Sequence, residues 1–310
     1  DFLELHLNIL RGVQARFKTP FFTALKEYSK QPTGVFHAMP ISRGKSISRS
    51  HWIQDMGDFY GPNIFLAETS TTSGGLDSLL DPHGTIKEAQ ELASRAFGSK
   101  QTFFATNGTS TCNKVVVQAL VRPDDIVLVD RDCHKSHHYG MVLAGAQVVY
   151  LDSYPLNEYS MYGAVPLKVV KQELLALKAA GKLDKVRMLL LTNCTFDGIV
   201  YNVERVMEEC LAIKPDLVFL WDEAWFAFAR FGPTPTARVR VYATQSTHKT
   251  LTSLRQGSMI HVHDQDFKGE VEQSFREAYM THTSTSPNYQ IIASLDVGRR
   301  QVELEGFEFV

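Results

Sequence analysis

The chain has few cysteines, little net charge and no long apolar run, and each shortage removes a class of protein. Only four cysteines occur in 310 residues, Cys112, Cys133, Cys194 and Cys210, and none share CxxC spacing. That excludes a disulfide framework and leaves reduced thiols in a cytoplasmic protein as the expectation. No Cys/His cluster has ligand spacing, so no metal is expected. A formal net charge of −2 gives no electrostatic footprint for a nucleic acid or a membrane surface. No apolar run approaches the roughly 18 residues of a membrane span, and the first residues carry no signal-peptide pattern. GxGxxG and Walker loops are missing, as are internal repeats and low-complexity tracts. The start at Asp1 without a methionine, and the close on Gly306-Phe307-Glu308-Phe309-Val310, suggest a piece of a longer protein.

What is present is an ordinary globular balance, 44% hydrophobic and 21% charged, long enough to bury a sizeable core. Leu3, Leu7 and Leu10 recur at helical spacing, followed by Phe17, Phe21, Phe22 and Leu25, so residues 1 to about 30 read as amphipathic helix. A Gly/Pro/Ser-rich stretch from 31 to about 81 reads as loops and short helices; it contains Pro32-Thr33-Gly34, Gly61-Pro62-Asn63 and Gly74-Gly75. Beyond it, short apolar runs at 102–105, 125–129, 147–151, 186–192, 217–221, 239–243 and 258–262 alternate with helical stretches. Met188-Leu189-Leu190-Leu191 is the cleanest of these runs. Fully apolar strands alternating with helices predict a doubly wound α/β fold, with a mostly parallel seven-stranded sheet covered on both faces.

Ligands bind such sheets outside the carboxyl ends of the strands. Four segments stand there. Asn107-Gly108-Thr109-Ser110 opens a helix, whose free N–H groups and dipole favour an anion, although the same residues also read as a plain helix cap. Asp222 ends a buried strand, where a carboxylate needs a partner such as a pyridinium N–H; a metal-bound or helix-capping aspartate is the alternative, and Glu223 beside it keeps a metal open. Lys249 follows Gln245-Ser246-Thr247-His248. It reads as a solvated lysine or, in a closed pocket, as an amine that loses its proton and attacks an aldehyde. His134 is a polar loop histidine or a flat ring lying over an aromatic one; His137 and His138 read as bystanders.

These blocks together resemble the bacterial ornithine/lysine/arginine decarboxylases. The resemblance runs from about Leu79 to Ser294, with weaker similarity upstream. It rests on Ser78-Leu79-Leu80-Asp81-Pro82-His83-Gly84, Asn107-Gly108-Thr109-Ser110-Thr111, Asp132-Cys133-His134-Lys135-Ser136 and Phe196-Asp197-Gly198-Ile199-Val200-Tyr201-Asn202. Further on it rests on Trp221-Asp222-Glu223-Ala224-Trp225, Ala243-Thr244-Gln245-Ser246-Thr247-His248-Lys249, Ser258-Met259-Ile260-His261-Val262 and His282-Thr283-Ser284-Thr285-Ser286-Pro287. The family implies the fold type I large domain and the cofactor pyridoxal 5'-phosphate. Lys249 would be its Schiff-base lysine, Asp222 would pair with the pyridine nitrogen, and His134 would stack on the ring. Thr109, Ser110, Ser246 and His248, in the neighbourhood of Asn107 and Gly108, would surround the phosphate. Thr195 and Trp225 would line the ring, while Thr283 and Thr285 would reach the phosphate of a neighbouring protomer.

The resemblance also implies α-decarboxylation of a basic amino acid in polyamine biosynthesis, with Lys249 or His248 returning the proton. It implies a homodimer with a shared site and higher assembly beyond it. Residues 1–75 would be helix and linker, 76–270 the cofactor-binding domain, and 271–310 the start of a following segment, with the family's wing and C-terminal domains absent. Two departures stand out. Relatives have a Pro-Gly-His-Gly-Gly-like stretch where this chain reads Ala38-Met39-Pro40-Ile41-Ser42-Arg43-Gly44, and the stretch at 231–236 is short for the family. The cofactor site alone leaves open another reaction on the same scaffold, such as transamination, C–C cleavage or oxidation. A non-catalytic regulatory homologue is the rival from a different class.

Overall fold

The computed structural model describes residues 1–69, 76–230 and 239–309. The Gly74-Gly75 pair, the proposed boundary at 75/76 and the stretch at 231–236 lie outside the described residues. Seven strands form one sheet: β1 (Gln101–Ala105), β2 (Ile126–Asp130), β3 (Gln147–Leu151), β4 (Val186–Thr192), β5 (Val218–Asp222), β6 (Arg240–Gln245) and β7 (Ser258–Asp264). Their order is β1-β7-β6-β5-β4-β2-β3. Every pairing is parallel except the two that β7 makes with β1 and β6.

Strand periodicity divides the core. In β4, Met188 and Leu190 face one layer and Leu189 and Leu191 the other; β5 repeats this with Val218 and Leu220 against Phe219 and Trp221. The first layer is closed by α2 (Pro20–Lys30), α3 (Thr85–Phe97), α4 (Thr109–Leu120), α5 (Lys135–Ala144), α8 (Glu272–His282) and α9 (Tyr289–Phe309). The second is closed by α6 (Leu167–Ala179) and α7 (Val203–Leu211). Each large apolar side chain buried this way contributes about 1.5–3 kcal/mol. No helix among the described residues is long and apolar enough to cross a membrane.

The N-terminal helix is two helices. α1 (Phe2–Phe17) ends before Pro20, which begins α2, since proline lacks the N–H that a continuing helix would use. Asp296 Oδ2 of α9 accepts from Phe21 N at 3.0 Å and Phe22 N at 3.2 Å, and the buried Arg299 donates to the carbonyls of Arg16 and Lys18. The break is thereby pinned to α9. The loop-rich stretch carries short helices at Lys45–Arg49, Gln54–Tyr60 and Pro62–Leu66, as its composition predicts. Before them Ser42 and Arg43 hold φ of 49° and 57°, a left-handed backbone that glycine adopts more freely than other residues.

Asp77 organises the turn that enters α3. Its carboxylate accepts from the backbone N–H groups of Ser78 (2.9 Å), His83 (3.0 Å), Gly84 (2.7 Å), Ile86 (3.1 Å) and Lys87 (3.3 Å). The Leu79-Leu80-Asp81-Pro82-His83 block is thus wrapped around a helix cap.

Candidate active site

Register aligns the strand ends. Thr192 pairs with Asp222 and Asp222 with Thr244, while antiparallel β7 starts where β1 ends, Ser258 opposite Ala105. One rim therefore gathers residues separated by more than a hundred positions.

The first component is the start of α4. Gly108 takes φ 79°, a conformation open to glycine, and no side chain caps the helix. The first-turn amides of Thr109 and Ser110 have no intrahelical acceptor. The buried Thr109 hydroxyl lies 2.6 Å from Ser246 Oγ and 3.3 Å from Ser258 Oγ. Three hydroxyls and an uncapped, electropositive helix end thus converge on a site suited to an anion. Asn107 is exposed beside them, and its carbonyl accepts from the Thr111 hydroxyl at 3.1 Å.

The second component is Asp222. Strand alternation after Leu220 turns it toward α4 and α5, where it is 2% exposed. Oδ2 accepts from His137 Nε2 at 2.7 Å and from Asn113 Nδ2 at 3.2 Å, and Oδ1 from Ala224 N at 3.1 Å. Burial pushes its pKa up, but the hydrogen bond and charge of His137, with the Ala224 and Asn113 bonds, win and hold it below the usual carboxylate range. Asp222 is an ionised, buried acceptor.

The third component is Lys249, on the short helix Thr247–Thr250 after β6. Its residue surface is open to solvent, yet its Nζ lies 4.1 Å from the centroid of the Trp225 ring. Partial desolvation lowers its pKa below the ordinary lysine value, against the upward pull of Asp222. Phe196 packs edge-on against Trp225 with centroids 5.3 Å apart. His134 caps α5, and its Nδ1 accepts from Ser136 N at 3.2 Å and faces Ser136 Oγ at 2.8 Å. Burial, opposed by Asp222 and assisted by His137 and Lys249, holds His134 below its ordinary value, so the ring is neutral with its proton on Nε2. His248 turns Nδ1 to the Gly257 carbonyl at 2.8 Å. Thr195 is used within its own turn, its hydroxyl accepting from Ile199 N at 3.1 Å.

Thr283 and Thr285 do not join this rim. They follow α8, whose His282 bonds Gln118 at 2.6 Å, near the end of α4 remote from Thr109. Among the described residues Thr283 Oγ1 is buried without a hydrogen-bond partner, and Thr285 is exposed. Sequence reasoning missed Asn113, Ser136, Thr244 and Ser258, and it took His137 for a bystander. His137 is instead fully buried against Asp222. Glu223, left open as a metal ligand, is buried under Gln245 Nε2 (2.8 Å) and Asn193 Nδ2 (3.4 Å), and burial pushes its pKa up to about 7.

A seven-stranded, mostly parallel sheet with an anion-ready helix start, a buried carboxylate and a depressed lysine on one rim defines the large domain of an aminotransferase-like α/β protein. Comparison with known proteins narrows this class. Residues 19–307 match the family model "Orn/Lys/Arg decarboxylase, major domain", and the chain belongs to that family. It is 37% identical to lysine decarboxylase LdcA of Pseudomonas aeruginosa, over 94% of this chain and 41% of that protein. It is 34% identical to the biodegradative arginine decarboxylase of Escherichia coli, over 90% of this chain and 39% of that protein. The solved structure of lysine decarboxylase A from Pseudomonas aeruginosa superposes with a TM-score of 0.83 at 36% identity, over 97% of this chain and 42% of that one. The chain therefore spans about two fifths of the relatives it matches.

Proposed function

We propose that this chain is the cofactor-binding core of a pyridoxal-phosphate-dependent decarboxylase acting on a basic amino acid. The observation that carries the reading is Asp222, an anion buried at a strand end whose hydrogen-bond partners keep it charged while Lys249 and the Thr109 hydroxyl cluster share its rim. These residues fit the cofactor's chemistry. Thr109, Ser110 and Ser246, with the backbone at Asn107-Gly108, would hold the phosphate; Asp222 would face the ring nitrogen; His134 would lie against the ring beside Thr195 and Trp225; and Lys249 would hold the aldehyde carbon. The cofactor, when bound, supplies an electron sink for the pair left at Cα as carbon dioxide departs.

The chain's own residues do the rest. Asp222 keeps the ring nitrogen protonated by presenting a fixed negative charge that needs no reorganisation. Lys249, easier to deprotonate than an ordinary lysine, is a nucleophile when neutral and a proton donor to Cα once freed. His248, fixed through Nδ1, leaves Nε2 to take or return a proton. Trp225, with Phe196 edge-on against it, places an apolar ring beside Lys249, and partial desolvation there favours the neutral amine. The family's own description, naming ornithine, lysine and arginine, supports a basic amino acid as substrate. A homodimer with a shared site is part of the reading: Thr283 and Thr285, which lie away from the Thr109 rim of their own chain, would reach a partner's phosphate.

Product analysis of the full-length protein with lysine, arginine and ornithine tests the proposal. It predicts carbon dioxide and the corresponding amine from at least one of them. A keto acid overturns decarboxylation in favour of transamination, and no turnover of any substrate by cofactor-loaded protein favours a regulatory homologue.

A further inference from the structure

Asn113 lies one turn after Thr109 on α4 and is 1% exposed. An asparagine side chain offers two N–H donors and one carbonyl oxygen. Here all are used. Nδ2 donates to Asp222 Oδ2 at 3.2 Å and to Ser136 Oγ at 3.0 Å, while Oδ1 accepts from Thr244 Oγ1 at 2.6 Å. The orientation is unambiguous, because an ionised carboxylate only accepts and the amide nitrogen must face it. Having accepted from Asn113, Ser136 Oγ turns its own hydrogen to His134 Nδ1, 2.8 Å away. One buried amide therefore touches Asp222 directly and reaches His134 through a single hydroxyl.

We propose that Asn113 is a positioning residue that locks Asp222 and His134 into one arrangement, so that contact with the ring nitrogen and contact with the ring face are set together. The proposal rests on the cofactor reading above. It gives α4 a double duty: its first turn addresses the phosphate through Thr109 and Ser110, and its second turn addresses the ring. Thr244, the β6 residue in register with Asp222, closes the arrangement by holding the amide oxygen. The His137 side chain reaches Asp222 at the same oxygen without passing through Asn113. The network thus has two branches from one residue. The Asn113 amide makes all of these bonds at once, and a buried polar group with every bond made favours one geometry.

Two variants separate the branches. Asn113→Leu keeps the volume roughly and removes all three bonds, while Ser136→Ala removes the hydroxyl that links Asn113 to His134 and leaves both the Asn113–Asp222 bond and the Ser136 N–H to His134 Nδ1 in place. Apo-protein of each would be titrated with pyridoxal phosphate. The dissociation constant, the visible circular dichroism of the bound cofactor and the pH midpoint of its absorbance would be measured, with thermal unfolding of the apo-protein as the fold control. Asn113→Leu should weaken cofactor binding by roughly tenfold or more and change both dichroism and pH midpoint. Ser136→Ala should change the dichroism and leave the midpoint within experimental error of the parent. A folded Asn113→Leu protein with parental dichroism and midpoint overturns the proposal. If Asn113→Leu fails to fold, Ser136→Ala decides: unchanged dichroism, or a shifted midpoint, overturns it. Parent protein that takes up no pyridoxal phosphate overturns the cofactor reading and this inference with it, whereas normal uptake with unaltered variants overturns this inference alone.

Discussion

Replacing Asp222 with Asn perturbs the site most cleanly, because it removes a charge and almost no volume. Three donors converge on the carboxylate: His137 Nε2, Asn113 Nδ2 and Ala224 N. An amide supplies one acceptor oxygen and one NH2 group. With the NH2 at the Oδ2 position it would oppose both His137 and Asn113; at Oδ1 it opposes the Ala224 amide alone. The second orientation wins and leaves one buried backbone donor unmatched, which costs about 1–3 kcal/mol. Relief from desolvating a buried charge offsets part of this, so the apo-protein should lose roughly 1–2 kcal/mol in urea unfolding. The pH dependence has a definite sign. Asp222 is held below the usual range, so its ionisation stabilises the fold above the ordinary carboxylate pKa and that contribution is lost as pH falls through the folded value. Asp222→Asn should flatten the acid-side decline. Catalysis should fall much further, about 10²–10³-fold in kcat/KM, the scale for removing one preorganised electrostatic group. Carbon dioxide release by cofactor-saturated enzyme reads this directly. A variant within threefold of the parent in kcat/KM, still binding cofactor, would refute the role given to Asp222.

Three further outcomes follow from the geometry. The rate at which apo-protein captures pyridoxal phosphate should rise with pH and level off below the ordinary lysine range, because desolvation lowers the Lys249 pKa; stopped-flow absorbance from pH 6 to 11 would show a plateau only near pH 10.4 if the lysine were unperturbed. Asp77→Ala should destabilise by about 2 kcal/mol in urea, since it leaves several first-turn and loop amides without their carboxylate; a loss under about 0.5 kcal/mol would show that water replaces it. Ser42→Gly should stabilise by about 1 kcal/mol by relieving a left-handed backbone at φ 49°, read as a higher urea midpoint, and a lower midpoint would contradict the strain.

The five inner strands were legible because each is a short apolar run buried on both faces, a pattern that survives without knowledge of partners, while the partly buried edge strands β1 and β3 were legible from their place between helical stretches. The antiparallel direction of β7 carries no such signal, and neither does its consequence, Ser258 arriving at the rim beside Thr109. Lys249, Asp222, His134 and Thr109 were findable because the strand-end rule places ligands there. Asn113, Ser136 and His137 were not, because a polar residue inside a helix reads as solvent-facing until the fold brings it against a partner 23 to 131 positions away. His137 shows the cost of that blindness: one helical turn beyond a ring-facing candidate, it looks redundant, yet it supplies the shortest bond to the buried carboxylate. The helix break at Pro20 was visible in principle, but the leucine and phenylalanine spacing ran through it and periodicity masked the proline.

The central claim is that Lys249 holds the cofactor. Borohydride reduction of cofactor-loaded protein, followed by peptide mass mapping, tests it most directly. The account predicts a pyridoxyl phosphate adduct on the peptide containing Lys249 and no adduct in Lys249→Ala. An adduct on another lysine, or an undiminished one in the variant, would contradict it.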